Sequence, residues 1–213
     1  MKVHAITVGE FQENTYLVID ETTRQAVVID PGAEPERVAA WIRDARVTLD
    51  AVWLTHAHLD HVGAIAGVKR EWDVPVFMHP ADLPTLARGP EAAAGYGLPF
   101  EAPATPEREL AEGDALSVGT LSFGVMHLPG HAPGHVVFHG NGIVLGGDVL
   151  FAGSIGRTDL PGADPRAMEE SLARICELDD ELVVLPGHGP ATTIGRERAT
   201  NPFLTGAARL VRR

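Results

Sequence analysis

The chain has 213 residues, 45% of them apolar, and a net charge of −12, which suits a single domain over 1–213 with a sizeable core and excludes a low-complexity or disordered chain. The only basic cluster is the terminal "ARLVRR", so no nucleic-acid partner is expected. One cysteine, Cys176, permits no internal disulfide; no apolar run reaches the roughly 18 residues of a membrane helix, and the N-terminus has no apolar signal region, so a cytoplasmic protein with no membrane partner is expected.

In chain order, "KVHAITV", "NTYLVID" and "AVVID" read as three strands parted by short polar turns. "EPERVAAWIRDA" reads as a helix, with Pro35 in its first turn and Val38, Trp41, Ile42 and Ala45 on one face. "DAVWLT" is a short apolar strand buried on both faces. "VGAIAGVKREW" places Ile65, Val68 and Trp72 at helical spacing, and "VPVFMH" is the next strand. Residues 80–112 mix helix formers with Pro and Gly and predict a helix or two within a long excursion. "DALSVG", "LSFGVMHL", "GHVVFHG" and "GIVLGGD" form a meander. "DPRAMEESLARICEL" is a helix with Asp164 as N-cap, Pro165 at its first position and Cys176 on its apolar stripe. "ELVVLPGHGP" is a last strand running into a loop. Two batches of strands, each followed by a helix, predict an α/β domain of two sheets with helices outside.

Four of these strands end in Gly- or Pro-bearing loops that carry His or Asp. They are "VWLTHAHLDH" (His56, His58, Asp60, His61), "MHLPGHAPGH" (His127, His131, His135), "IVLGGDVLF" (Asp148) and "VVLPGHGP" (His188). Imidazoles with carboxylates suit zinc, iron or manganese. The candidates are too many for one tetrahedral ion and fit two ions sharing a bridging carboxylate. His56 and His58 alternate as on an extended loop, whereas Asp60 and His61 are adjacent and point differently, so each pair reaches a different ion. His135, His79 and His127 read as structural histidines, and Cys176 as a core residue.

The ordered motifs "THAHLDH", "LPGHAPGH", "GGDVLF" and "LPGHGP" resemble the metallo-β-lactamase-fold superfamily along nearly the whole chain. "GSIGRTDLPGAD" and "GPATTIGRERATNPFL" are most similar to its glyoxalase II-like (hydroxyacylglutathione hydrolase-like) branch, in the short bacterial type without the C-terminal helical extension. The resemblance implies an αββα four-layer sandwich, two mixed sheets with outer helices and the metals at one edge. It implies His56, His58 and His131 on the first ion, Asp60, His61 and His188 on the second, and Asp148 bridging. It also implies that Asp30 orients a ligand imidazole, with Thr55 in a similar role. True β-lactamases of the family typically carry a Cys ligand; Asp148 and the helical Cys176 disfavour antibiotic hydrolysis.

Two divalent ions, zinc first and iron or manganese as alternatives, outweigh Asp60 and Asp148 and favour an anionic small-molecule substrate despite the acidic chain. The expected reaction is hydrolysis of an S-(2-hydroxyacyl) thiol such as S-lactoylglutathione by hydroxide generated at the metals, with catalytic roles for Asp60 and Asp148. The alternative is an iron-dependent persulfide dioxygenase of the same fold. Arg157 is either a substrate-anion contact or a salt-bridge partner of Asp159. Tyr16 and Tyr96 are candidates for lining the cleft.

Overall fold

The computed structural model describes residues 1–210; Val211–Arg213, the end of the basic terminal run, lie outside the described residues. The chain opens with an antiparallel run, β1 (Lys2–Val8), β2 (Glu13–Ile19) and β3 (Gln25–Ile29). Helix α1 (Pro35–Ala45) leads to β4 (Thr48–Trp53), parallel to β3. A helical turn, α2 (Leu59–Val62), and α3 (Ile65–Glu71) lead to β5 (Val76–Met78), parallel to β4. A 3₁₀ turn (Pro80–Asp82), α4 (Leu83–Ala87) and α5 (Gly89–Tyr96) precede β6 (Arg108–Glu109), which pairs with β5. These six strands form one mixed sheet in the order β1 to β6.

The meander follows as β7 (Ala115–Val118), β8 (Leu121–His127), β9 (Val136–Gly140) and β10 (Ile143–Gly147). A small hairpin, β11 (Leu150–Phe151) with β12 (Ser154–Ile155), and helix α6 (Pro165–Ile175) come next. Then β13 (Val183–Pro186) pairs parallel with β10, and β14 (Thr192–Thr193) pairs with β13 before α7 (Ile194–Thr200). The second six-stranded sheet is ordered β14-β13-β10-β9-β8-β7.

Three apolar clusters stack the layers. The period-2 alternation of "DAVWL" divides its side chains between two of them: Val52 and Leu54 pack under the outer helices with Val38, Ile42 and Val68, while Ala51 and Trp53 face the other sheet. Trp53 meets Phe123 edge-on at 5.9 Å and Phe138 at 5.2 Å, bonding the two sheets across their shared core. The third cluster seats Met168, Leu172 and Ile175 of α6 on Val137, Val144 and Val184 of the second sheet. The order of layers is helix, sheet, sheet, helix, as the resemblance implied.

Most strand and helix predictions match, and Asp164 caps α6 as expected, accepting from the backbone N–H groups of Arg166 and Ala167. Asp60 and His61 lie on the helical turn α2, and His58, still in extended conformation, is its N-cap residue. One local reading changes: the segment after "LPGHGP" is not only loop but adds β14 and α7. There the buried Glu197 and Asn201 hold the β11–β12 hairpin, Glu197 accepting the Gly153 N–H at 2.8 Å and Asn201 donating to the Ser154 carbonyl at 2.9 Å. Such polar side-chain-to-backbone ties carry no hydrophobic period and so escape pattern reading. Among the described residues no helix is long and apolar enough to cross a membrane.

Candidate metal centre

The strand pairings put the ends of β3, β4, β8, β10 and β13 and the start of β2 at one edge of the sandwich. The loops leaving these ends bring together all seven predicted ligand residues. His56, His58 and His131 offer nitrogens within 4.8 Å of one another, and so do the ligand atoms of Asp60, His61 and His188. Asp148 lies between the groups. Its Oδ2 is 3.4 Å from His131 Nε2 of the first and 3.4 Å from His188 Nε2 of the second, and its Oδ1 is 3.5 Å from His61 Nε2. Asp60 Oδ2 is 3.3 Å from His188 Nε2.

The outward nitrogen of most of these imidazoles is occupied, which aims the other inward. Asp30 accepts the Thr55 N–H at 2.7 Å, the Thr55 hydroxyl at 2.6 Å and His61 Nδ1–H at 3.0 Å. The Thr55 hydroxyl, having donated to Asp30, accepts from His56 Nδ1–H at 3.0 Å. His131 Nδ1–H donates to the Arg157 carbonyl at 2.8 Å, and His188 Nδ1–H to the Phe11 carbonyl at 3.1 Å. Each bond holds a proton on Nδ1, so that the ring in its neutral form presents its lone pair at Nε2. Asp30 also lies within ligand distance of His56 and His61, but its oxygens are already taken by Thr55 and His61, so it orients rather than binds.

Three buried atoms of the cluster, His56 Nε2, His61 Nε2 and Asp148 Oδ1, have no hydrogen-bond partner among the described residues. Orphaned buried polar atoms are destabilising unless something else satisfies them. Gly187 keeps the space open: a Cβ there would lie 2.3 Å from Asp148 Oδ1 and 2.7 Å from His61 Cε1. Converging imidazole lone pairs and carboxylates around such space fit divalent metal ions.

The electrostatics differ between the groups. Burial, then neighbouring imidazoles, pushes His56 well below the ordinary imidazole value, and burial with His131 takes His58 down to about 3. In the second group burial acts in the same sense but is outweighed. Asp148, Asp30 and Asp60 hold His61 well above its usual value, and Asp148 with Asp60 raises His188 to about 10. Burial pushes Asp148 upward, but His61, His188 and His131 hold it well below the usual carboxylate range.

Several residues outside the ligand set also shape the centre. His135 is structural, as expected: its Nε2 accepts the Asp148 N–H at 2.9 Å, and burial keeps the ring neutral. Tyr16 is not in the cleft. It is buried, and its hydroxyl donates to the Pro186 carbonyl at 2.7 Å, while Asn14 donates to the carbonyls of Pro186 and Gly189; both tether the loop bearing His188. Glu13 lies wholly buried beneath the second group, and burial raises its carboxyl well above the usual range. His79 and His127 stack on each other and join neither ligand group. Cys176 is half-buried against the α6 cluster.

The centre opens into a cleft of about 750 Å³. Its floor is His58, Asp60, His131, Asp148 and His188; its walls include Phe11, Tyr96, Phe151 and Leu160, with Arg88 and Arg157 among the polar lining. Tyr96 meets Phe11 edge-on at 5.1 Å. Arg157 makes the salt bridge to Asp159, through Nε at 2.6 Å and a terminal nitrogen at 2.9 Å, and also lines the cleft. Its carbonyl contact to His131 had no signal in the sequence.

Residues 8–188 match the family model of the metallo-β-lactamase superfamily. The chain is 39% identical to hydroxyacylglutathione hydrolase GloC of Haemophilus influenzae, over 96% of this chain and 98% of that one. Among solved structures it is similar to TTHA1623 in a di-iron-bound form, at 48% identity and TM-score 0.88, covering 94% of this chain and 100% of that one. It is also similar to the B3 metallo-β-lactamase BLEG-1 (37%, TM-score 0.89, 96% and 100% covered) and to ETHE1 from Myxococcus xanthus (29%, TM-score 0.81, 97% and 85% covered). Matching fold, ligand clusters and sequence agree: the chain belongs to the metallo-β-lactamase superfamily of metal-binding enzymes.

Proposed function

We propose that the protein is a metal-dependent thioesterase that hydrolyses S-(2-hydroxyacyl) thiols such as S-lactoylglutathione. The observation that carries this reading is the pair of ligand groups joined by Asp148 on the floor of a cleft with apolar walls and with Arg88 and Arg157 in its polar lining. His56, His58 and His131 would hold one ion and Asp60, His61 and His188 the other, with Asp148 between them and zinc as the first choice of metal. Bound divalent ions bring water's pKa toward neutrality and polarise a carbonyl.

The chain's own residues do the rest. Phe11, Tyr96 and Leu160 exclude water from the thiol side of the substrate, and Arg157 and Arg88 attract its carboxylates. Asp60 would hold a proton during attack; its position on the cleft floor, 3.3 Å from His188 Nε2, supports this. A departing thiol has a pKa of about 8.5, so the thiolate leaves without a strong acid. The likeness to GloC supports this substrate class.

The likeness to ETHE1, and the iron in TTHA1623, support a second reading, an iron-dependent persulfide dioxygenase. The likeness to the B3 metallo-β-lactamase BLEG-1 brings β-lactams into the test. Protein purified without chelators is expected to carry two ions per chain and to turn over a 2-hydroxyacyl thioester. One iron per chain with oxygen uptake on a persulfide favours the second reading, and β-lactam hydrolysis without thioester turnover overturns both. Within the first reading, Arg157→Ala keeps the carbonyl that orients His131 but removes the guanidinium. Losing one charge-assisted contact should raise KM for an anionic thioester about 10-fold or more with kcat little changed; an unchanged KM removes Arg157 from substrate binding.

A further inference from the structure

We propose that Asp82 is a positioning residue: it clamps the loop of His56 and His58 to the loop of His131 and thereby sets the affinity of the first metal position. Asp82 ends the 3₁₀ turn after β5 and is fully buried, yet it belongs to neither ligand group. Its two oxygens serve two different loops. Oδ2 accepts the Ala57 N–H at 2.8 Å, and Oδ1 accepts the Gly134 N–H at 2.6 Å. Ala57 stands between His56 and His58. Gly134 stands between His131 and His135, and His135 in turn holds the Asp148 backbone. One carboxylate therefore ties a loop of the first sheet to a loop of the second at the place where their imidazoles must converge.

The approach is close enough to require glycine. A Cβ on residue 134 would lie 2.8 Å from the Asp82 backbone nitrogen and 2.9 Å from its Cβ and Cγ. The turn that carries Asp82 is itself anchored to the same loop. His79 Nδ1 accepts the Ala81 N–H at 3.2 Å, and its ring stacks on His127 at 4.0 Å and 9°. His127 Nε2–H donates to the Pro133 carbonyl at 2.9 Å, one residue before Gly134. A carboxylate suits the position because both contacts are N–H donors; an asparagine would turn an N–H toward one of them.

This inference concerns the metal centre and holds whichever substrate the cleft takes, since its test uses zinc alone. A chelator-competition titration should resolve two zinc-binding steps in the unaltered protein, and the step lost in His58→Ala identifies the first position. Asp82→Asn is expected to weaken that step 10- to 100-fold, the range for partners that orient metal ligands, while leaving the other step within a few-fold. Asp20→Asn is the control. Asp20 is also a buried carboxylate accepting backbone N–H groups from two segments, Thr22 at 2.9 Å and Thr120 at 2.7 Å, but at the opposite end of β2. It should lower stability and leave both zinc steps unchanged. The proposal is overturned if Asp82→Asn binds zinc as the unaltered protein does, or weakens both steps in parallel with Asp20→Asn. If Asp82→Asn does not fold, amide exchange in the unaltered zinc-free protein decides: the Ala57 and Gly134 amides should be as protected as the core of β4, and fast exchange at either sinks the clamp.

Discussion

Asp148→Ala should lower thioester turnover by more than about 100-fold and leave fewer than two ions per chain. Partners that merely orient a ligand already change metal affinity or activity by 10- to 100-fold, so a shared ligand should exceed that range. The expectation rests on its place between the groups, with Oδ2 3.4 Å from both His131 Nε2 and His188 Nε2. The backbone need not collapse with the side chain, because the Asp148 N–H stays bonded to His135. Metal analysis and kcat/KM on the same preparation check it. Retention of both the metal content and the turnover would refute the bridging role and the proposed mechanism together.

Zinc binding at the second group should strengthen with pH more steeply than binding at the first through the neutral range. In the metal-free protein His188 keeps its proton up to about 10, and His61 is also held protonated by Asp148, Asp30 and Asp60 against burial. A metal ligand must present an unprotonated imidazole nitrogen, so loading this group releases about two protons at neutral pH. Each released proton makes the affinity rise about tenfold per pH unit. His56 and His58 are neutral at neutral pH because burial and neighbouring imidazoles depress them, so these two have no proton to lose there. Calorimetry in two buffers of different ionisation enthalpy counts the protons. Equal proton release at both steps, or none at the second, contradicts this division.

The same division underlies how far the sequence could be read. The candidate ligands that converge in the fold were legible because a metal centre needs a few residue types in short, strand-terminal clusters, and "THAHLDH", "PGH" and "GGD" are local in the chain. The layers were legible too: the short apolar run of "DAVWLT" reads as a strand buried on both faces, and the spacing of "DPRAMEESLARI" follows the helical period of 3.6. Asp30 was reachable only through resemblance, and its partners Thr55 and His61 came from the coordinates. Asp82 gave no signal, because it falls within residues 80–112, which read only as a helix or two in a long excursion, and its partners lie 25 and 52 residues away.

By itself, then, the sequence determined the candidate ligand residues, their suitability for a divalent metal and the alternation of sheets and helices, since these follow from side-chain type and short-range periodicity. The tertiary structure decided which nitrogen each imidazole presents, which histidines stay protonated without metal, that Tyr16 tethers a loop instead of lining the cleft, and that Asp82 joins two loops. Those properties depend on hydrogen bonds and burial between segments far apart in the chain, and no local pattern of residues encodes them.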